Sequence, residues 1–146
     1  MANSNKREIL YNREADDNVM AFMEPEVIYA ARRPEQSVAN FLNMSAYLGF
    51  TQLEWAAILH ISDRTLQRYL KDEKSFSGAQ AEILFYLQRL IDASRQVFGE
   101  KQDFLHWLRS SKNVLGQSLN FDSLQSLSGI KMLHDELGRM AYGVYI

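Results

Sequence analysis

The spacing of apolar side chains divides this chain at Ser37. Before it, residues 1 to about 24 alternate charge and polarity without a steady period, and Pro25 and Pro34 bracket a segment, EVIYAARR, compatible with a short helix. After it the pattern sharpens. Val38, Phe41, Leu42, Tyr47 and Leu48 approximate one helical face, and Gly49 supplies a stop. Thr51 offers an N-cap, and Glu54 three residues on completes a capping box for a second helix, with Leu53, Ala56, Ala57 and Leu59 on its inward side. Ser62 caps a third helix through Thr65, Leu66, Tyr69 and Leu70, leaving only His60 and Ile61 between the two. The polar stretches KDEK and SFSG then lead into a long helix from Ala79 to Phe98. Its stripe is Ile83, Leu84, Leu87, Leu90, Ile91 and Val97, and Gly99 closes it.

Beyond Gly99 the pattern predicts three short helices. The first, Gln102 to Arg109, carries Phe104, Leu105, Trp107 and Leu108, which places Trp107 in the core stripe. Asn120 or Asp122 caps a second, through Leu124 and Leu127. Ser128–Gly129 opens the last, with Ile130, Leu133, Leu137 and Met140. The expected fold class is all-α. Its expected organisation is an N-terminal tail over 1–36, a helix-turn-helix module over 37–99 and a small helical module over 100–146.

The segment TQLEWAAILHISDRTLQRYL has helix-turn-helix spacing, because two capped helices are joined by a turn too short for antiparallel packing. Ala56 and Ala57 permit close approach, Ile61 plugs the angle, and Leu66 faces inward. Asp63, Arg64, Gln67, Arg68 and Lys71 then point outward from the second helix, which suits the major groove. Glutamine can read adenine there, and arginine can read guanine or hold phosphate. The candidate DNA-binding set is Gln52, Ser62, Arg64, Thr65, Gln67, Arg68 and Lys71, with the capped helix start as a phosphate contact. Asp63 works against such a contact. The competing reading of the same turn is a plain αα-corner. His60, where such turns often carry glycine, is assigned a structural role in a turn expected to be either slightly strained or differently shaped.

Charge qualifies this picture. Sixteen Lys and Arg stand against eighteen Asp and Glu, a net charge of −2, whereas a simple nucleic-acid binder is distinctly basic. Positive charge must therefore be concentrated on one element, or a second copy must help, and a homodimer is expected. The absence of cysteine excludes disulfides and thiolate metal sites and fits a reducing compartment. No apolar run approaches the roughly 20 residues of a membrane span, and the polar N-terminus does not read as a signal peptide, so a cytoplasmic location is expected. His60, His106 and His134 lack metal-ligand spacing, and no phosphate-binding loop, nucleophile elbow or dinucleotide fingerprint occurs. The expectation is a protein that is not an enzyme, with no metal and no cofactor.

The last residues are unusual for a chain end. Tyr142, Val144, Tyr145 and Ile146 are large and apolar where ends are ordinarily polar. Aromatic residues and arginine are favoured interface anchors, and Arg139 could donate a charge-assisted hydrogen bond to a partner.

Over DFLHWLRSSKNVLGQSLNFDSLQSL and LHDELGRMAYGVYI the chain resembles the toxin-binding domain of the Xre/MbcA/ParS antitoxin family. The residues that carry the resemblance are Trp107–Leu108, Leu115–Gly116, Gly129 and a closing Leu-Gly-Arg-Met-x-x-Gly-Val from Leu137 to Val144. The helix-turn-helix with a long helix ending Val97-Phe98-Gly99 is similar to the Xre-like module preceding that domain. Where family members usually carry a proline before Leu-Gly, a second glycine after it and a threonine–proline pair, this chain has Lys112–Asn113, Gln117 and Leu119–Asn120. The loop between Ser110 and Asn120 is therefore expected to differ in shape. The resemblance implies a partner toxin of the RES type, which degrades NAD or transfers its ADP-ribose. It also implies repression of the pair's own promoter. Arg139, Tyr142, Gly143, Val144, Tyr145 and Ile146 become the expected toxin-binding residues, acting by covering the toxin's active site. The rival expectation is a homodimeric helix-turn-helix transcriptional regulator without a toxin partner, which would bury the apolar terminus in a self-complementary interface.

Overall fold

A computed structural model of the chain describes residues 35–143. The described residues form six α-helices, α1 (Val38–Leu48), α2 (Gln52–Leu59), α3 (Asp63–Lys71), α4 (Gly78–Val97), α5 (Lys101–Arg109) and α6 (Leu127–Ala141). A short antiparallel hairpin, β1 (Lys112–Val114) and β2 (Gln117–Leu119), and a 3-10 turn over Phe121–Gln125 lie between α5 and α6. The fold is all-α. Most of the tail expected over 1–36, and Val144, Tyr145 and Ile146 among the expected toxin-binding residues, lie outside the described residues.

Local chemistry sets the first three helices. Ser37 Oγ accepts the Asn40 N–H at 3.1 Å to start α1, whose Val38, Phe41, Met44 and Leu48 are buried. Gly49 ends it at φ 66°, a left-handed conformation that glycine adopts without a Cβ penalty. The expected capping box opens α2: Glu54 N–H donates to Thr51 Oγ1 at 3.1 Å, and Thr51 N–H donates to Glu54 Oε1 at 2.9 Å. Ser62 starts α3 by accepting the Thr65 N–H at 3.0 Å.

Three apolar positions depart from expectation. Leu53 is 71% exposed, because Trp55, Ala56, Ile58 and Leu59 occupy the inward side of a helix of barely two turns. Leu42 is also exposed, lying off the stripe that Phe41, Met44 and Leu48 define. Ala57 points to solvent as well, so close approach within the motif falls to Ala56 alone.

Helix α4 is the spine. Ala81, the run from Ile83 to Leu87, Arg89 to Ile91, Ala93 and Ser94 are buried, the all-round burial of a helix enclosed by others. Phe76, fully buried, anchors the loop before it, where main-chain hydrogen bonds join Phe76 to Gln36. Helix α6 packs along α4 more extensively than any other pair of described elements pack together. One hydrophobic cluster runs from Val38 through Leu137.

The region after α5 corrects the expectation of helices alone. The segment between Ser110 and Asn120 is a hairpin rooted by buried Val114 and Leu119. Its two turn residues, Leu115 at φ 50° and Gly116 at φ 80°, both have positive φ, the pattern of a type I′ hairpin turn. Asn120 caps the next element as expected, but that element is a 3-10 turn ending at Gln125. Leu127 instead begins α6, because Ser126 Oγ accepts the Gly129 N–H at 3.0 Å.

Candidate nucleic-acid interface and partner surface

Helix α2 ends at His60, whose φ of 55° reverses the chain. Its backbone N–H reaches Ala57 O at 3.3 Å, and Ile61 N–H reaches Ala56 O at 3.1 Å. Ser62 then starts α3, so His60 and Ile61 alone make the corner. His60 thus takes the left-handed conformation itself, which is uncommon for a non-glycine residue though less so for histidine than for most.

Leu66 is the buried residue of α3, while Arg64, Gln67, Arg68 and Lys71 are exposed. Their spacing of i, i+3, i+4 and i+7 puts them in one stripe on the helix surface. Three cations and an amide on one ridge answer the acidic net charge, because positive charge is gathered on this element. Ser62 and Thr65 sit at the start of the stripe, the Ser62 hydroxyl donating to Thr65 Oγ1 at 2.8 Å. Gln52 is exposed at the first position of α2. All seven expected DNA-binding residues thus lie on the α2–α3 unit. Asp63 is half-buried and accepts from the Gln67 amide at 3.4 Å, while its other carboxylate oxygen is buried with no hydrogen-bond partner. Gln67 is therefore partly tethered along the helix.

The expected partner-binding residues are split. Arg139 donates from both Nε and Nη2 to Glu136 Oε2, at 3.1 and 3.0 Å, so its guanidinium is held against its own helix. Tyr142 is 71% exposed where α6 ends. Gly143 follows at φ 64°. Trp107 is half-buried, with its ring near Phe98 and Phe104 and the Lys112 ammonium 4.4 Å above it. Lys112 also donates to the carbonyls of Trp107 and Ser110, at 2.6 and 2.7 Å. Burial pulls its pKa below the ordinary lysine value, an effect opposed by the nearby Glu136 carboxylate.

Sequence reasoning missed two contacts that join the helix-turn-helix to the segment after Gly99. Arg109 forks onto Glu54, at 2.9 Å to Oε2 and 3.1 Å to Oε1. The hydrogen bonds from Arg109 hold the Glu54 carboxyl below its ordinary value, and those to Glu54 push Arg109 up. The His60 ring Nε2 lies 2.6 Å from Gln125 O. Neither contact has a local signal, since the partners are 55 and 65 residues apart. Among the described residues, no group of three or more His, Asp or Glu side chains could hold a metal ion. No described helix is long and apolar enough to cross a membrane.

Two short capped helices, a tight corner and an exposed cationic ridge define a helix-turn-helix of the DNA-binding regulatory class. Residues 37–89 match the family model of the antitoxin Xre-like helix-turn-helix domain, a little over a third of the chain. The match runs from the cap of α1 into α4, and it supports an antitoxin-type regulator. No curated protein matches the chain.

Proposed function

We propose that this protein is the antitoxin of a toxin–antitoxin pair. It binds a RES-type, NAD-targeting toxin through residues 100–146 and autoregulates its operon through α3. The observation that carries the proposal is the ridge of Arg64, Gln67, Arg68 and Lys71 on a helix within the segment that matches an antitoxin domain. Gln67 and Arg68 lie where base edges would be read, while Arg64, Lys71, Gln52 and the Ser62–Thr65 start of α3 hold the backbone. A homodimer would place two such ridges about 34 Å apart, one DNA turn, and offset the weak charge of each copy.

The toxin half of the proposal is supported by the likeness of Leu137 to Val144 to the closing motif of toxin-binding domains, and by the exposure of Tyr142. In this reading the end of α6 and the residues after it, Tyr142 to Ile146, cover the toxin's cleft and exclude NAD. Arg139, already oriented by Glu136, lines the same surface. The test is co-purification of the tagged chain with the product of the adjacent gene, followed by NAD consumption by the separated partner. A stable complex whose partner consumes NAD only when released is the expected result. A chain lacking Tyr142 to Ile146 should keep its fold and lose neutralisation. A tight homodimer with no partner, shifting its own promoter DNA, would replace the antitoxin with a simple regulator.

A further inference from the structure

Helix α2 is held at both ends by residues that lie outside the matched domain. At its N-terminal end, the Glu54 carboxylate serves two partners. Oε1 accepts from the Thr51 backbone at 2.9 Å as part of the cap, and both oxygens accept from the Arg109 fork on α5. The Arg109 guanidinium lies 4.2 Å from the Phe121 ring centroid and 5.8 Å from that of Phe50. Those two rings meet edge to face at 4.9 Å. At its C-terminal end, a carbonyl can only accept, so His60 Nε2 carries the proton it donates to Gln125 O. His60 is also the residue whose left-handed backbone makes the corner between α2 and α3.

These contacts fix more than local packing. The tilt of α2 and the conformation at His60 together set the angle at which α3 meets a groove. We infer that Arg109, outside the helix-turn-helix, is a positioning residue for DNA binding, with the His60–Gln125 hydrogen bond as the second clamp. The inference rests on the DNA-binding reading above and adds a consequence. A protein seated on residues 100–146 is coupled through these clamps to the DNA affinity of α3, and the coupling is reciprocal.

The experiment uses the full chain and a duplex from the region upstream of its own gene, at a temperature where every variant is folded by circular dichroism. Arg109→Ala should weaken binding about two- to fivefold, the scale of an exposed ion pair. The dependence of affinity on salt should not change, because Arg109 touches no phosphate. Glu54→Gln should give the same loss, since glutamine preserves a capping box while removing the charge. The double variant should be no worse than either single one, as expected of residues that act through one contact. His60→Asn keeps a residue tolerant of the left-handed region and removes the second clamp, and should also weaken binding.

Amide exchange from Leu59 to Leu66 should quicken in Arg109→Ala, with or without DNA. Unchanged affinity in Arg109→Ala would overturn the inference. So would a salt slope reduced by about 0.9, which would make Arg109 a direct phosphate contact. If the wild type bound no DNA, the DNA-binding reading would fail and this inference with it. Normal wild-type binding with insensitive variants would remove the inference alone.

Discussion

Gly129 lies where α6 passes over the backbone of the 3-10 turn, and a Cβ there would overlap the Ser123 carbonyl oxygen. Backbone cannot swing aside as a flexible side chain can, so Gly129→Ala should cost about 1–3 kcal/mol, the range of overpacked sites. Denaturant unfolding measures it, and a variant as stable as the wild type would show that the turn yields freely. Glu54 gives a second outcome at this scale. Its carboxyl is held below the ordinary value of 4.5, chiefly by the hydrogen bonds from Arg109. A lowered carboxylate pKa contributes stability that is full above 4.5 and is lost as pH falls through the folded value. Because the Arg109 side chain is 51% exposed, screening limits that contribution to about 0.2–1 kcal/mol. Glu54→Gln should therefore be less stable than the wild type at neutral pH, with the gap closing on the acid side in unfolding curves. Single residues were also the most legible feature of the chain. The stop at Gly49, the capping box of Thr51 and Glu54 and the cap at Ser62 each act within three or four positions, so these roles could be read from spacing.

Elements were legible where they were long and periodic, and less so where they were short. The stripe of α4 announced itself, whereas β1 and β2 have three residues each, too few to show a period. Their turn carries Leu115 where asparagine or aspartate would be the usual signal, so the hairpin gave no warning. Leu115 is 82% exposed and holds a left-handed conformation. Leu53 was misplaced for a related reason, since eight residues of α2 leave the apolar pattern ambiguous about which side faces in. Helix α3 supplies the prediction proper to this scale. Changing Arg64 and Arg68 together to Ala should weaken binding to operator DNA and flatten its salt dependence, by about 0.9 in slope for each phosphate no longer neutralised. Binding that is unchanged over a salt titration would mean that another surface meets the DNA.

At the scale of the molecule, one hydrophobic cluster joins the helix-turn-helix to the segment after Gly99, with α4 against α6 at its centre. Thermal unfolding should therefore be a single transition with equal calorimetric and van't Hoff enthalpies. Two separate transitions in calorimetry would mean that the two segments unfold independently. By itself the sequence determined the all-α class, the caps that open α2 and α3, the tight corner at His60–Ile61 and the identity of the outward ridge on α3. Each of these depends on residues within a few positions of one another, where spacing and side-chain chemistry suffice. Only the tertiary structure decided that Glu54 meets Arg109, that His60 reaches Gln125 and that Gly129 must lack a side chain. The Glu54–Arg109 and His60–Gln125 contacts join positions 55 and 65 residues apart. The packing of α6 against α4 and the 3-10 turn sets the close approach at Gly129, and no local pattern records which side chains that packing brings together.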